Sequence, residues 1–208
     1  MNNDTEYTKD TLLKKFYNRS IQIDKAVIND IIDTVLDAQR TGTNVKMLVF
    51  GLGYDSQLWY NLTQTNTYFV ENTQSYIDLN KDISSDHIIY YKYNGICVKD
   101  SMDMSDETVK SFTIPPELLH VAPFDVIIID GPQGYQENHP GRLLPIYWSK
   151  RLLSKRGTFI YVDDSNRSLE RHCINRFLSE HQIKHFPQRD GCRLINTTNK
   201  FLKFRIHN

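Results

Sequence analysis

The chain has 208 residues, of which 39% are hydrophobic and 24% charged, with 25 Lys and Arg balancing 25 Asp and Glu; this is the size and composition of one soluble globular domain with a single core. The balanced charge leaves no basic footprint for nucleic acid or an anionic membrane, and no apolar run approaches the ~20 residues that span a bilayer. Three scattered cysteines, Cys97, Cys173 and Cys192, form no CxxC pair, which speaks against a disulfide framework or a zinc site.

The polar start MNNDTEYTKD has no signal-peptide pattern, so a cytoplasmic protein is expected. A sequon at Asn166-Arg167-Ser168, beside an acidic cluster that a glycan would block, points the same way. In IQIDKAVINDIIDTVLDAQR, residues 21 to 40, the pairs Val27/Ile28, Ile31/Ile32 and Val35/Leu36 recur every four residues. That period puts them on one face of a helix. Residues 1–44 are therefore expected to form an N-terminal helical lid docked on a core of residues 45–208, the two making one domain.

From Val45 onward, short β-rich runs alternate with helical stretches. The runs are VKMLVF (45–50), TYFVEN (67–72), HIIYYKY (87–93), FDVIIID (124–130) and GTFIYVDD (157–164). Helices are expected near 55–63, 73–82, 105–119, 142–154 and 167–181. Such alternation calls for a mainly parallel sheet with right-handed crossovers, and DVIII reads as a strand buried on both faces. The tail pieces IKHFPQ, CRLINT and KFLKFRIH have no helix between them and should pair antiparallel at one edge. The expected fold class is α/β: a mostly parallel seven-stranded sheet of the Rossmann-like methyltransferase outline, with a C-terminal antiparallel hairpin.

In such a sheet a ligand lies beyond the carboxyl ends of the strands. The first of these turns is GLGYDS, where Gly51 and Gly53 allow close approach of the backbone and Asp55 and Ser56 suit a helix N-cap. A dinucleotide fingerprint would carry a glycine where Ser56 stands, and Asp55 would repel a pyrophosphate. S-adenosylmethionine has no phosphate and carries a sulfonium and an ammonium, so it suits the turn better. Glu71, at the end of TYFVE, can accept hydrogen bonds from a ribose diol in either cofactor class.

Asp130, Asp163 and Asp164 end two strands at the same edge of the sheet. Clustered carboxylates need a cation or a proton between them. They could hold Mg²⁺ or Mn²⁺, supply a general base, or merely cap the following helix and loop. The intervening loop GPQGYQENHPGRLLPIY is rich in Gly and Pro, and its Tyr135, His139 and Arg142 are candidate acceptor contacts.

VFGLGYDSQLW, YFVEN, VIIIDGPQGY, HPGRLLPIY and YVDDSNRSLERHCINRFL together resemble the polysaccharide-biosynthesis methyltransferases typified by glucuronoxylan 4-O-methyltransferase, over about residues 45 to 180. The resemblance implies methyl transfer from S-adenosylmethionine to a sugar hydroxyl of a glycan or oligosaccharide, uronic acid or deoxyhexose such as rhamnose, with a divalent metal. It implies cofactor binding by Gly51, Gly53, Asp55, Ser56, Glu71 and Asp130, and its loop motifs match Tyr135 and Arg142, which with His139 are the expected acceptor contacts. Joined to the strand-end carboxylates, it leads to the expectation of a metal at Asp130, Asp163 and Asp164, or a base among them, with catalysis by Asp130 and Asp164 and Arg142 orienting the glycan. Arg167 falls in the same acidic motif, and Trp59 packs under the turn. Where the family pattern has histidines, this chain has Tyr54 and Asp163, and Asn72 replaces an acid; the aspartate makes the site similar to that of catechol-type O-methyltransferases. A further similarity, to the methyltransferase module of large-virus glycosyltransferases, would make the chain a module of a larger glycan-synthesising protein in a host cytoplasm. Three other readings remain at this point: a small-molecule O-methyltransferase, a nicotinamide-dependent dehydrogenase, and a binding module that kept the fold without the chemistry.

Overall fold

The computed structural model describes residues 8–18, 20–186 and 191–197. Seven strands form one sheet in the order β3-β2-β1-β4-β5-β7-β6. They are β1 Met47–Phe50, β2 Thr67–Glu71, β3 Ile88–Tyr90, β4 Val126–Ile129, β5 Phe159–Val162, β6 Gln182–Phe186 and β7 Cys192–Asn196. β1 to β5 run parallel, and β7 pairs antiparallel with both β5 and β6. This is the expected mostly parallel α/β sheet with its antiparallel hairpin. IKHFPQ and CRLINT supply the hairpin as far as they are described, whereas KFLKFRIH lies outside the described residues.

The strand order turns back between β1 and β4, which both carry four consecutive buried side chains. Alternate residues of these strands face opposite layers. Leu48, Phe50, Ile127, Ile129, Ile160 and Val162 join a core with Leu143, Trp148, Leu169 and Ile174. The first two of those four lie on α8 Leu143–Ser149 and the last two on α9 Ser168–Phe177. Met47, Val49, Val126, Ile128 and Tyr161 face the other way, toward Val27, Ile28, Ile31, Ile32 and Val35.

Those five residues are the buried stripe of helix α2 Lys25–Arg40, capped by the Asp24 carboxylate accepting from Ala26 N–H at 2.7 Å. α2 thus covers one face of the sheet, and Tyr161 ties it down by donating to Asp30 Oδ2 at 2.9 Å. Ahead of it lies a helix that the sequence patterning did not suggest, α1 Lys9–Phe16, which buries only Leu12.

α3 Ser56–Leu62 and α4 Gln74–Leu79 fall inside the expected 55–63 and 73–82. A short α5 spans Val98–Ser101. The helix expected over 105–119 is two, α6 Asp106–Ser111 and α7 Pro116–Val121. Pro115 and Pro116 explain the break, because a proline disfavours helical backbone before it and donates no N–H. α8 ends at Ser149, short of the expected 154. No helix among the described residues is long and apolar enough to cross a membrane.

Candidate active site

The carboxyl ends of β1, β2, β4 and β5 open into a cavity of about 780 Å³, within the range of small-ligand pockets. Its lining includes Gly51, Gly53, Asp55, Glu71, Asp130, Tyr135, Arg142, Asp163, Asp164 and Arg167, which sequence reasoning had singled out. Ser56 and His139 are not part of it.

The first wall is the turn after β1. Gly51 has φ +112 and packs on Gly131 of the β4 turn. A Cβ on Gly131 would lie 2.9 Å from Gly51 Cα, so the two backbones touch without room for a side chain. Asp55 occupies the N-cap position of α3 but makes no capping bond; its Oδ2 instead accepts from the Trp59 indole at 2.7 Å. Asp55 is buried, and desolvation raises its pKa against that hydrogen bond. Ser56 is fully buried, and its Oγ accepts from Gly53 N–H at 2.8 Å. The hydroxyl expected at a ligand therefore shapes the turn from within.

Glu71 closes the next wall. Its Oε2 accepts from Leu52 N–H at 2.8 Å, and its Oε1 accepts from Asn72 at 2.8 Å and Thr73 at 2.7 Å. Burial raises its pKa, and these amides oppose the rise. The carboxylate bridges the β1 and β2 turns while still lining the cavity.

Carboxylate oxygens of Asp130, Asp163 and Asp164 lie within 4.8 Å of one another. Asp164 takes a left-handed backbone, φ +52, which turns it inward. Desolvation pushes Asp130 up to about 6, with Arg142 opposing and Asp55 and Asp164 reinforcing. Desolvation and then the charge of Asp130 push Asp163 up to about 8. Such a pair holds a proton between its members or takes a cation.

Arg142 explains how the cluster survives. Its guanidinium is buried, donating to the Asp163 carbonyl, to the Asp130 carbonyl at 2.7 Å and Oδ1 at 3.1 Å, and to Asp164 Oδ2 at 2.7 Å. Burial works against its charge, but Asp130, Asp164 and Asp163 outweigh that and raise its pKa. Arg167 adds a second ion pair to Asp164 Oδ2 at 2.9 Å. Arg142 is accordingly a counter-charge inside the strand ends, with both Nη groups turned onto them, while its buried Nε has no hydrogen-bond partner among the described residues.

Tyr135 stands at the mouth, 63% exposed, with His139 edge-on at 4.3 Å between ring centroids. His139 does not line the cavity; its ring packs on Tyr135, its Nδ1 is buried without a hydrogen-bond partner among the described residues, and its carbonyl accepts from Val98 N–H at 2.8 Å. Several lining residues carried no motif: Ser20, Ile21, Gln22 and Asp24 ahead of α2, Tyr76 on α4, and Phe186, Gly191 and Cys192 of the hairpin. Only the capping Asp24 before the amphipathic stripe offered a sequence signal.

The sequence model of the family described as IRX15/IRX15L/GXM matches residues 83–189. Glucuronoxylan 4-O-methyltransferase 3 of Arabidopsis thaliana is 31% identical over 155 residues, 63% of this chain and 51% of the relative. Arabinogalactan O-methyltransferase 2 of the same plant is 28% identical over 158 residues, 64% and 54% of the two chains. The chain thus spans about half the length of the relatives it matches. Among solved structures, human methyltransferase-like protein 13 in complex with SAH superposes with a TM-score of 0.54 at 11% identity, covering 88% of this chain and 86% of that one. The fold is that of the Rossmann-like class I methyltransferases.

Proposed function

From a chain that belongs to the IRX15/IRX15L/GXM family, we propose an enzyme that transfers the methyl group of S-adenosylmethionine to a sugar hydroxyl of a glycan. The observation that carries the reading is the meeting, in one cavity, of the glycine turn, Glu71 and the three strand-end carboxylates. Relatives named for O-methylation of glucuronoxylan and arabinogalactan support the acceptor class.

The cavity fits such a donor. Its described guanidiniums, Arg142 and Arg167, both pair with Asp164. Buried Asp55 and Glu71 favour a cationic, phosphate-free ligand. The oxygens of Asp130, Asp163 and Asp164 are the hard donors that Mg²⁺ or Mn²⁺ selects, and Asp164 has an oxygen beyond the one its arginines hold. When bound, S-adenosylmethionine supplies an electrophilic methyl group, and a divalent cation lowers the pKa of the acceptor hydroxyl.

The chain's own residues do the rest. Glu71 fixes the β1 and β2 turns around the ribose, and Asp55 sets charge beside the donor. Asp130 would take the hydroxyl proton on its carboxylate as the acceptor oxygen is methylated. Asp130 and Asp163, both pushed up by desolvation, share a proton when no cation displaces it. Arg142 keeps the strand ends together, and Tyr135 offers the acceptor a ring face.

Calorimetry with S-adenosylmethionine tests the reading: micromolar binding is expected, and none would overturn it. Mass measurement of products from an acceptor panel, with EDTA and with Mn²⁺ restored, tests the cation. Activity unchanged by EDTA leaves Asp130 as base alone, and transfer to catechols instead of sugars replaces the acceptor class.

A further inference from the structure

Glu170 stands in the first turn of α9 and is 1% exposed, and neither of its carboxylate oxygens has a hydrogen-bond partner among the described residues. A buried carboxylate in that position destabilises a fold unless something offsets it. The usual structural reason for a glutamate three residues after a helix N-cap is absent. A capping box would bring its carboxylate back to the Arg167 N–H, but that N–H donates to the Asp164 carbonyl at 2.9 Å. The loop after β4 brings no side chain to it at Gly134 either, where a Cβ would lie 3.2 Å from Glu170 Oε1 and 3.3 Å from Gly141 Cα.

Charge supplies the offset. Arg142 favours the ionised form of Glu170 more than Arg167 does, and Glu170 in turn joins Asp130, Asp164 and Asp163 in holding Arg142 charged. These four carboxylates do not all face the cavity: Asp130, Asp163 and Asp164 line it, and Glu170 does not. The Nη groups of Arg142 are bonded to the ends of β4 and β5, while its buried Nε, like Glu170, has no hydrogen-bond partner among the described residues. Glu170 therefore acts on Arg142 from the interior, by charge, in a desolvated space where charge is weakly screened. With a neutral residue at 170, the guanidinium answers to the cavity side alone.

We propose that Glu170 is a positioning residue for methyl transfer. It acts through Arg142, balancing the guanidinium from the interior so that the ends of β4 and β5 keep Asp130, Asp163 and Asp164 in the arrangement that the reaction needs. The role rests on the methyltransferase reading above and adds to it a residue outside the cavity. A carboxylate retained at a cost in stability is the trace that such a role leaves.

Two variants of the whole chain test it. Glu170→Gln keeps the shape and removes the charge, whereas Glu170→Asp keeps the charge and shortens the side chain. For Glu170→Gln, kcat should fall on the order of tenfold or more, with S-adenosylmethionine affinity unchanged in calorimetry and a melting temperature at pH 8 no lower than wild type. Glu170→Asp should melt lower, because it leaves a cavity, yet retain more of kcat than Glu170→Gln. Activity and stability then rank the two variants in opposite orders, which a purely structural residue does not do. Wild-type kcat in Glu170→Gln overturns the proposal, as does a kcat loss that travels with melting temperature or cofactor affinity, or a Glu170→Asp slower than Glu170→Gln. If the wild-type chain methylates catechols and no sugar, the glycan reading falls and the same comparison on that acceptor decides Glu170. Methyl transfer to no acceptor at all overturns both.

Discussion

Trp59 donates its indole N–H to Asp55 Oδ2 at 2.7 Å, one helical turn back, and both side chains are buried. The tryptophan therefore packs under the glycine turn and also fixes the carboxylate above it. Trp59→Phe removes the donor together with part of a fully buried ring system, so its stability loss includes a cavity contribution. A hydrogen bond to a charged group contributes about 1.5–3 kcal/mol, so loss of that order is expected in urea denaturation. S-adenosylmethionine affinity should weaken with it, because Asp55 is no longer held. A variant with wild-type midpoint and affinity would show that the bond is incidental.

Gly51 and Gly131 leave no space for a methyl group between the β1 and β4 turns. Gly131→Ala would press a Cβ against backbone, which cannot swing aside as a side chain does. Overpacking of this kind costs about 1–3 kcal/mol, and Gly51→Ala adds the strain of φ +112. Both should lower the melting temperature, while Gly53→Ala, whose Cβ would meet only the Asp55 side chain at 3.3 Å, should cost less. Equal melting temperatures for all three would refute the contact.

Asp164 combines a left-handed backbone with two arginine partners. Asp164→Ala should lose transfer and also stability, toward about 3 kcal/mol, because Arg142 keeps Asp130 but loses its shorter ion pair. Asp164→Asn, which tolerates the left-handed region, should lose transfer with a smaller loss of stability. Denaturation curves separate the two, and turnover by either at the wild-type rate would remove Asp164 from the chemistry.

Glu170 on α9 is buried, and neither of its carboxylate oxygens has a hydrogen-bond partner among the described residues. Burial raises its pKa, with Arg142 opposing. The folded state thus binds this proton more tightly than the unfolded chain does. The group favours folding below its unfolded pKa, and that contribution is lost as pH rises through the raised folded value. Glu170→Gln, with no charge to bury, should melt higher than wild type at pH 8, with the gap closing toward pH 4. A gap that widens on acidification would mean the carboxylate is stabilised as an anion.

Much of the fold was legible because buried parallel strands read as continuous apolar runs, as VIII of β4 does, and because α2 wears its stripe at helical spacing. The break at Pro115 and Pro116 was written in the residues, although the expected helix ran through them. The strand-end carboxylates and the glycine turn were legible because their chemistry is local to strand ends. Ser56 and His139 were given ligand-facing roles although neither lines the cavity, and Arg142 lines it but turns its Nη groups onto the strand ends, since composition does not tell which way a side chain turns. Burial decides that, and burial is set by partners more than ten residues away, as Asp130 and Asp163 are for Arg142. Gln22, Phe186 and Cys192 line the cavity through packing alone, which leaves no motif.

β7 runs against its neighbours, so its first residues arrive at the edge where β1 to β5 end. Ser165 N–H donates to the Gly191 carbonyl at 3.0 Å, and Val162 pairs with Arg193. The turn that presents Asp163 and Asp164 is therefore buttressed by a segment that leaves the ribosome almost thirty residues later. A nascent chain can stack its first five strands and still lack a finished acidic edge. The acidic edge is therefore completed only after the five parallel strands have been synthesised.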